Sequence, residues 1–328
     1  MLRKVIKQGH NTLTVTLPSQ WVKRYGVTPG SEIEVCEQDK ALMITTENGP
    51  SLSETTIDIS GLSPELIWRF VSSAYRAGYN EITVTGLNGH EKRKIFSAFS
   101  YNTLDCLKGE DISAMSAIET IQALANRLIG MEVIDQKEKY CRLKELGETT
   151  YKEFDNALRR IFLLLKNESE NITNGIDGKK SCLKDIHILD TNIDRFEDFC
   201  LRVMNKKGYS DFRRTPIVYN IIFTLELLGD EYKRTAIHLL EDKIQIKSEL
   251  IKWLADEMKK QIERYYALFY KFDKEKVVEI FNMDNEMTQK VRKSQEKLTP
   301  FEREMLHHLK KIGIHLKSLT ELRIDMEY

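Results

Sequence analysis

The pattern of apolar and polar positions changes character twice along this chain. Near the start, Val5 and Ile6 open a short strand and Gly9-His10-Asn11 supply turn chemistry. Leu13, Val15 and Leu17 then alternate with threonines and Pro18, the period of two expected of a half-buried strand. Pro18 stops that strand, and Ser19 is placed to cap a short helix, Gln20–Tyr25, carrying Trp21 and Val22. Gly26 suits a left-handed helix end, Thr28-Pro29-Gly30 a turn, and Ile33 and Val35 resume alternation. After a linker at Thr46–Leu52, a second region mixes periods. A strand is expected over Thr56–Ile59, a helix from Ser63-Pro64 to Ala77 closed by Gly78, and a strand over Glu81–Thr85 with Ile82 and Val84 on one face. Helices over Lys92–Leu107 and Ser113–Leu128 and strands over Met131–Asp135 and Tyr140–Leu143 complete it.

From Glu148 onward the period is helical. Proline occurs there only at Pro216 and Pro300, each preceded by threonine, a pairing that marks helix starts. The two starts lie 84 positions apart and prompt a search for an internal repeat. Leu225-Glu-Leu-Leu-Gly229-Asp230 is matched at the same offset by Leu309-Lys-Lys-Ile-Gly313-Ile314, and Leu189-Asp190-Thr-Asn-Ile-Asp194 is paralleled by Met283-Asp284-Asn-Glu-Met-Thr288. Each half divides into three helices: Tyr151–Ile172, Lys179–Lys206 and Pro216–Leu240, then Ser248–Lys271, Lys274–Lys297 and Pro300–Asp325. The reading is a multi-domain chain: a hairpin unit over 1–47, a small α/β domain over 53–147, and tandem three-helix bundles over 148–328, divided at about 242–246.

Composition narrows the function classes. Lysine plus arginine equals aspartate plus glutamate at 50 each, but the balance is not local. Between Met1 and Gly30 stand Arg3, Lys4, Lys7, Lys23 and Arg24 with no acid, the electrostatic footprint of a phosphate-backbone binder. No apolar run reaches the roughly 18 residues of a membrane span, and Gln8, His10 and Asn11 interrupt any signal-peptide core. Five scattered cysteines without a CxxC pair argue for reduced thiols, hence a cytoplasmic protein, and against a zinc cluster. Gly86 and Gly89 have neither phosphate-loop spacing. No nucleophile–base pair is legible, so an enzyme is not expected.

One group of acids stands out. Glu226 and Asp230, four apart, share a helix face whose row is otherwise mostly apolar, where carboxylates are costly unless paired or metal-bound. On the preceding helix Asp190, Asp194, Glu197 and Asp198 crowd the flank of an apolar stripe. Facing carboxylates from two helices can form a hard-cation or di-iron-type site. The competing arrangement is ion pairing of Glu226 and Asp230 with Lys233, Arg234 or Arg202. Glu275/Glu279 and Glu321/Asp325 share the spacing and read as solvated. The histidines, including the adjacent His307 and His308, read as core or surface residues.

Two resemblances organise these observations. Gly9, the run into Leu17-Pro18, Trp21, and Gly26 with Gly30 resemble the AbrB/MazE-like swapped-hairpin domain. One departure is Ser31, where that family usually shows an acid. The ExxxD at Glu226–Asp230 within LELLGD, preceded by Leu189–Asp194, is similar to the PhoU signature. Ala74–Tyr79, Arg127–Val133 and Leu158-Arg159-Arg160 are similar to archaeal-type PhoU-like regulators that carry an AbrB-like head. The first resemblance implies a homodimer binding DNA through Arg3, Lys4, Lys7, Lys23 and Arg24. The second implies a regulator of phosphate uptake that contacts a phosphate transporter or its sensor kinase. It also implies a divalent or iron-type metal held by Asp190, Asp194, Glu226 and Asp230 in the first bundle. Lys310, Ile314 and Thr288 replace the signature acids in the second bundle, which removes the expectation of a metal there. The alternatives are an adaptor whose hairpin only dimerises and an antitoxin-like neutraliser.

Overall fold

A computed structural model describes residues 2–9, 11–38, 41–46, 54–87, 116–147, 151–241, 245–294 and 297–328. The expected helix over 92–107, the basic cluster at 90–94, Cys106 and most of the linker lie outside the described residues. The chain divides into two compact units, 1–51 and 52–328.

The first unit consists of two hairpins around a short helix. Strands β1 (Ile6–Gln8) and β2 (Thr12–Thr14) pair antiparallel with Lys7 opposite Leu13, and β3 (Ile33–Gln38) pairs with β4 (Ala41–Thr46). Gly9, Gly26 and Gly30 all take positive φ, the left-handed turns for which glycine is suited. Helix α1 covers Ser19–Arg24, so the expected Ser19 cap is corrected: Pro18 occupies the N-cap position and no side chain caps the helix. Proline ahead of the first turn already fixes the extended entry.

In the second unit, β5 (Glu54–Asp58), β6 (Glu81–Thr85), β7 (Met131–Gln136) and β8 (Tyr140–Glu145) form a sheet of order β5-β6-β8-β7, with β5 and β6 parallel and the rest antiparallel. Strand β5 begins two residues before the expected Thr56. Helices α2 (Pro64–Ala77) and α3 (Ala117–Arg127) cover one face, where Ile82 and Val84 are fully buried against Ile67, Val71, Tyr75, Ile121 and Leu124. Helix α2 starts where its signals say: the Ser63 hydroxyl accepts from Leu66 N, and Gly78 closes the helix at φ 101°. Gly86 is a packing glycine. It takes φ 80°, and a Cβ there would stand 2.3 Å from Asp58 Oδ1.

The helical body contains α4 (Tyr151–Ile176), α5 (Ile186–Lys207), α6 (Thr215–Glu241), α7 (Glu249–Tyr270), α8 (Lys274–Ser294) and α9 (Pro300–Asp325). These are the six expected helices, with two local differences. The chain after α4 makes a 3₁₀ turn at Lys180–Leu183 before α5 begins. Thr215 lies inside α6 rather than capping it, and its hydroxyl accepts from Tyr209 N. Thr299 does cap α9 in a reciprocal capping box with Glu302. Both bundles share one apolar core, in which Phe162, Tyr265 and Phe269 stack across α4 and α7. His308, buried on α9, joins α6 by contacts of 2.5 Å to Glu231 and 2.9 Å to His238, while His307 faces solvent.

The α/β layer and the helical body, expected as separate domains, form one unit because polar contacts knit them. Fully buried Arg202 of α5 donates to the carbonyls of Tyr75 (2.6 Å) and Tyr79 (3.0 Å), pairs with Glu145 at 3.0 Å and lies over the Tyr75 ring. Lys206 reaches Asn80 and Glu145, each at 2.7 Å.

Candidate functional site

Two places combine chemistry-bearing residues. In the first unit, Arg3, Lys4, Lys7, Lys23 and Arg24 are all exposed, and none is in an ion pair among the described residues. Lys23 and Arg24 sit in the last turn of α1, where cations suit the helix dipole. No described side chain of this unit is buried. Its apolar stripe instead stands open, with Val5 63%, Leu13 71%, Val15 47% and Leu42 61% exposed. A strand pair with a wet hydrophobic face is at most marginally stable alone, so the same alternation that makes the hairpins demands a covering surface.

The second place is a cluster of acids between the helical body and the α/β layer. Asp190, Asp194, Glu197 and Asp198 of α5 are all buried, as the apolar stripe beside them requires. Across the groove α6 presents Glu226, Asp230, Lys233 and Arg234, and α4 contributes Glu168, which sequence reasoning missed. Glu168 is 0% exposed, and neither of its carboxylate oxygens has a hydrogen-bond partner among the described residues. Gly229 admits this crowding, because its Cβ position lies 3.2 Å from Ile193 and 3.5 Å from Glu168.

The cations of the chain have entered this cluster. Lys233 Nζ bridges Asp190 and Asp230 at 2.7 Å each, and Arg234 holds Asp230 at 2.7 Å. Arg127, from the end of α3, pairs with Asp194 at 3.1 Å and Asp198 at 2.8 Å under the Trp68 ring. Arg76 of α2 reaches Asp198 at 3.4 Å and Glu197 at 3.9 Å. Beside them a cavity of about 300 Å³ is walled by Trp68, Phe223, Glu197 and Glu226.

Seven carboxylates therefore face four cations, and burial sets their protonation. Desolvation, then repulsion from Asp190, pushes Glu168 and Asp194 well above the usual carboxylate range. Burial and Asp198 do the same to Glu197. Burial, with Asp230 next in weight, raises Glu226 to about 7. Burial works against the charge of Lys233, but Asp190 and Asp230 outweigh it and hold the ammonium charged.

The four expected metal ligands thus lie on facing helices, yet three of them are held by cations of the chain and only Glu226 has no ion pair among the described residues. Among the described residues no three of His, Cys, Asp and Glu are grouped as a metal site. The arrangement fits an ion-pair cluster rather than a metal cage, because Lys233 and Arg127 already engage Asp190, Asp194 and Asp230. The competing pairing is realised for Asp230, through Lys233 and Arg234, and not for Glu226, while Arg202 serves the α/β layer instead.

Residues 6–51 match the family model described as antidote-toxin recognition MazE, bacterial antitoxin. Over the helical body, two solved structures are similar. The crystal structure of PhoU from Pseudomonas aeruginosa has 17% identity and a TM-score of 0.47, covering 53% of this chain and 94% of that one. The phosphate transport system regulatory protein PhoU from Streptococcus pneumoniae has 14% identity and a TM-score of 0.44, covering 54% and 95%. No curated protein matches the chain. The family match over 6–51 falls on the segment whose glycines, Trp21 and alternating strand resemble the AbrB/MazE-like domain. No helix among the described residues is long and apolar enough to cross a membrane.

Proposed function

We propose that this chain is a homodimeric, DNA-binding transcriptional regulator of phosphate uptake whose helical body docks the signalling partner. One observation carries the proposal: the first unit buries no described side chain within one protomer, while it exposes both an apolar stripe and five cations free of ion pairs among the described residues. A second copy laid over the stripe removes apolar surface worth ~25 cal/mol per Å². It also doubles the cations on one platform. The phosphate-uptake role rests on the ExxxD signature at Glu226–Asp230. The signal is a population shift: a partner favouring one arrangement of the bundles changes the spacing of the paired heads and so their fit to DNA.

Gel shifts with the full-length chain on promoter fragments of phosphate-transport genes test the reading. Wild type is expected to bind, and charge reversal at Arg3, Lys4, Lys23 and Arg24 to abolish binding while leaving the protein dimeric. An unchanged shift after charge reversal, or no binding to any fragment, overturns it. The antitoxin-like reading is favoured by the family model over 6–51 and requires a stoichiometric toxin in natively purified material.

A further inference from the structure

The internal repeat places a second groove where the first bundle has its acid cluster. The offsets that match Gly229 to Gly313 and Asp190 to Asp284 pair six lining positions of the two grooves, of which Lys233 and Lys317 alone keep their charge. On the second helix of each bundle, Asp194 is matched by Thr288, Glu197 by Val291 and Asp198 by Arg292. On the third, Glu226 is matched by Lys310 and Asp230 by Ile314. Beneath the glycines the exchange is the same: Glu168 lies 3.5 Å from the Cβ position of Gly229, and the Met258 methyl lies 3.2 Å from that of Gly313. At these positions an acidic groove has become an apolar one with a basic rim.

The first groove shows what such a surface is for. Helices α2 and α3 of the α/β layer lie over it, and Arg76 and Arg127 meet its carboxylates. Among the described residues, the second groove, a cavity of about 460 Å³, is lined by α7, α8 and α9 alone. Its floor is Met258, Met287 and Leu254, and Ile314 stands 62% exposed at its mouth. Arg292, Lys310 and Lys317 ring it, and its one acid, Asp284, is 3.7 Å from Lys317. Methionine floors adapt to varied apolar side chains, and a groove between two helices suits a third.

We propose that the groove between α8 and α9 docks an amphipathic helix of a partner protein. That helix seats apolar side chains over Met258 and Met287 and turns carboxylates toward Arg292, Lys310 and Lys317. The charge pattern is the reverse of the one by which α2 and α3 sit on the first bundle. The inference rests only on the docking role proposed for the body, not on DNA binding by the hairpin unit.

Photo-reactive p-benzoylphenylalanine in place of Ile314, in the full chain inside cells, tests it, with the linked peptide sequenced. The expected adduct joins one partner through a segment with apolar residues at helical spacing and an excess of acids. Arg292→Glu with Lys310→Glu is expected to lower its yield ~10-fold, and to weaken binding of that segment as a synthetic peptide by as much. Both residues are exposed, and an unchanged thermal melt shows that the variant folds. Absence of an adduct, adducts to basic segments or to a second copy of this chain, or a yield indifferent to charge reversal overturns the proposal. A gel shift on the same variant reads the DNA-binding proposal separately.

Discussion

Two glutamates illustrate how burial and partners set opposite pH behaviour. Glu226 sits in the acid cavity with its pKa raised from 4.5 to about 7 by burial and then by Asp230. A carboxyl whose folded value is raised stabilises the fold below its unfolded value and loses that contribution as pH climbs through the folded one. Its share of stability therefore falls between about pH 4.5 and 7. Glu226→Gln should remove this slope and raise stability at pH 8 by about 2 kcal/mol, as read by urea melts across pH. Glu302 is the reverse. Its burial opposes charge, but bonds from the Thr299, Ser248 and Lys247 backbone outweigh that and hold it below the usual range. Its contribution is present above the unfolded value and lost as pH falls through the folded one. Arg202→Ala would remove one of the cations on Glu145, which keeps Lys206, and the guanidinium donor to the Tyr75 and Tyr79 carbonyls, at a cost of about 3 kcal/mol. Metal analysis bears on the cluster as a whole: wild type and Glu226→Ala should both carry well under one equivalent, and a full equivalent lost on substitution contradicts the ion-pair reading.

At the scale of elements, the sequence was legible wherever a period ran long and a cap marked its end. Ser63, Gly78, Thr299 and Pro300 bounded their helices because each supplies a bond or a backbone angle that the helix end needs. Thr299→Ala should cost about 1 kcal/mol, measurable by thermal melts. Thr215 misled because the preceding 3₁₀ turn, Phe212–Arg214, already enters the helix. Glu168 was hidden for another reason: amid polar neighbours, its sequence context reads as solvent-facing, and only the close approach permitted by Gly229 puts it inside. The union of the α/β layer with the bundles was illegible too. It depends on Arg127 and Arg202, whose partners stand 57 to 127 positions away.

Across the whole molecule, balanced composition conceals segregation. The first unit exposes cations and an apolar stripe, while the body buries an excess of carboxylates. If about six phosphates are contacted per dimer, DNA affinity should fall ~10³-fold from 50 to 200 mM salt, and a salt-independent affinity would exclude the basic platform. That platform exists only if two hairpin units pair. Sedimentation equilibrium of the full chain and of its Leu13→Glu, Val15→Glu variant measures this most directly. The account predicts twice the chain mass for wild type, and for the variant a shift toward monomer together with loss of DNA binding. A wild-type monomer at micromolar concentration, or a variant that pairs and binds DNA as wild type does, would contradict it.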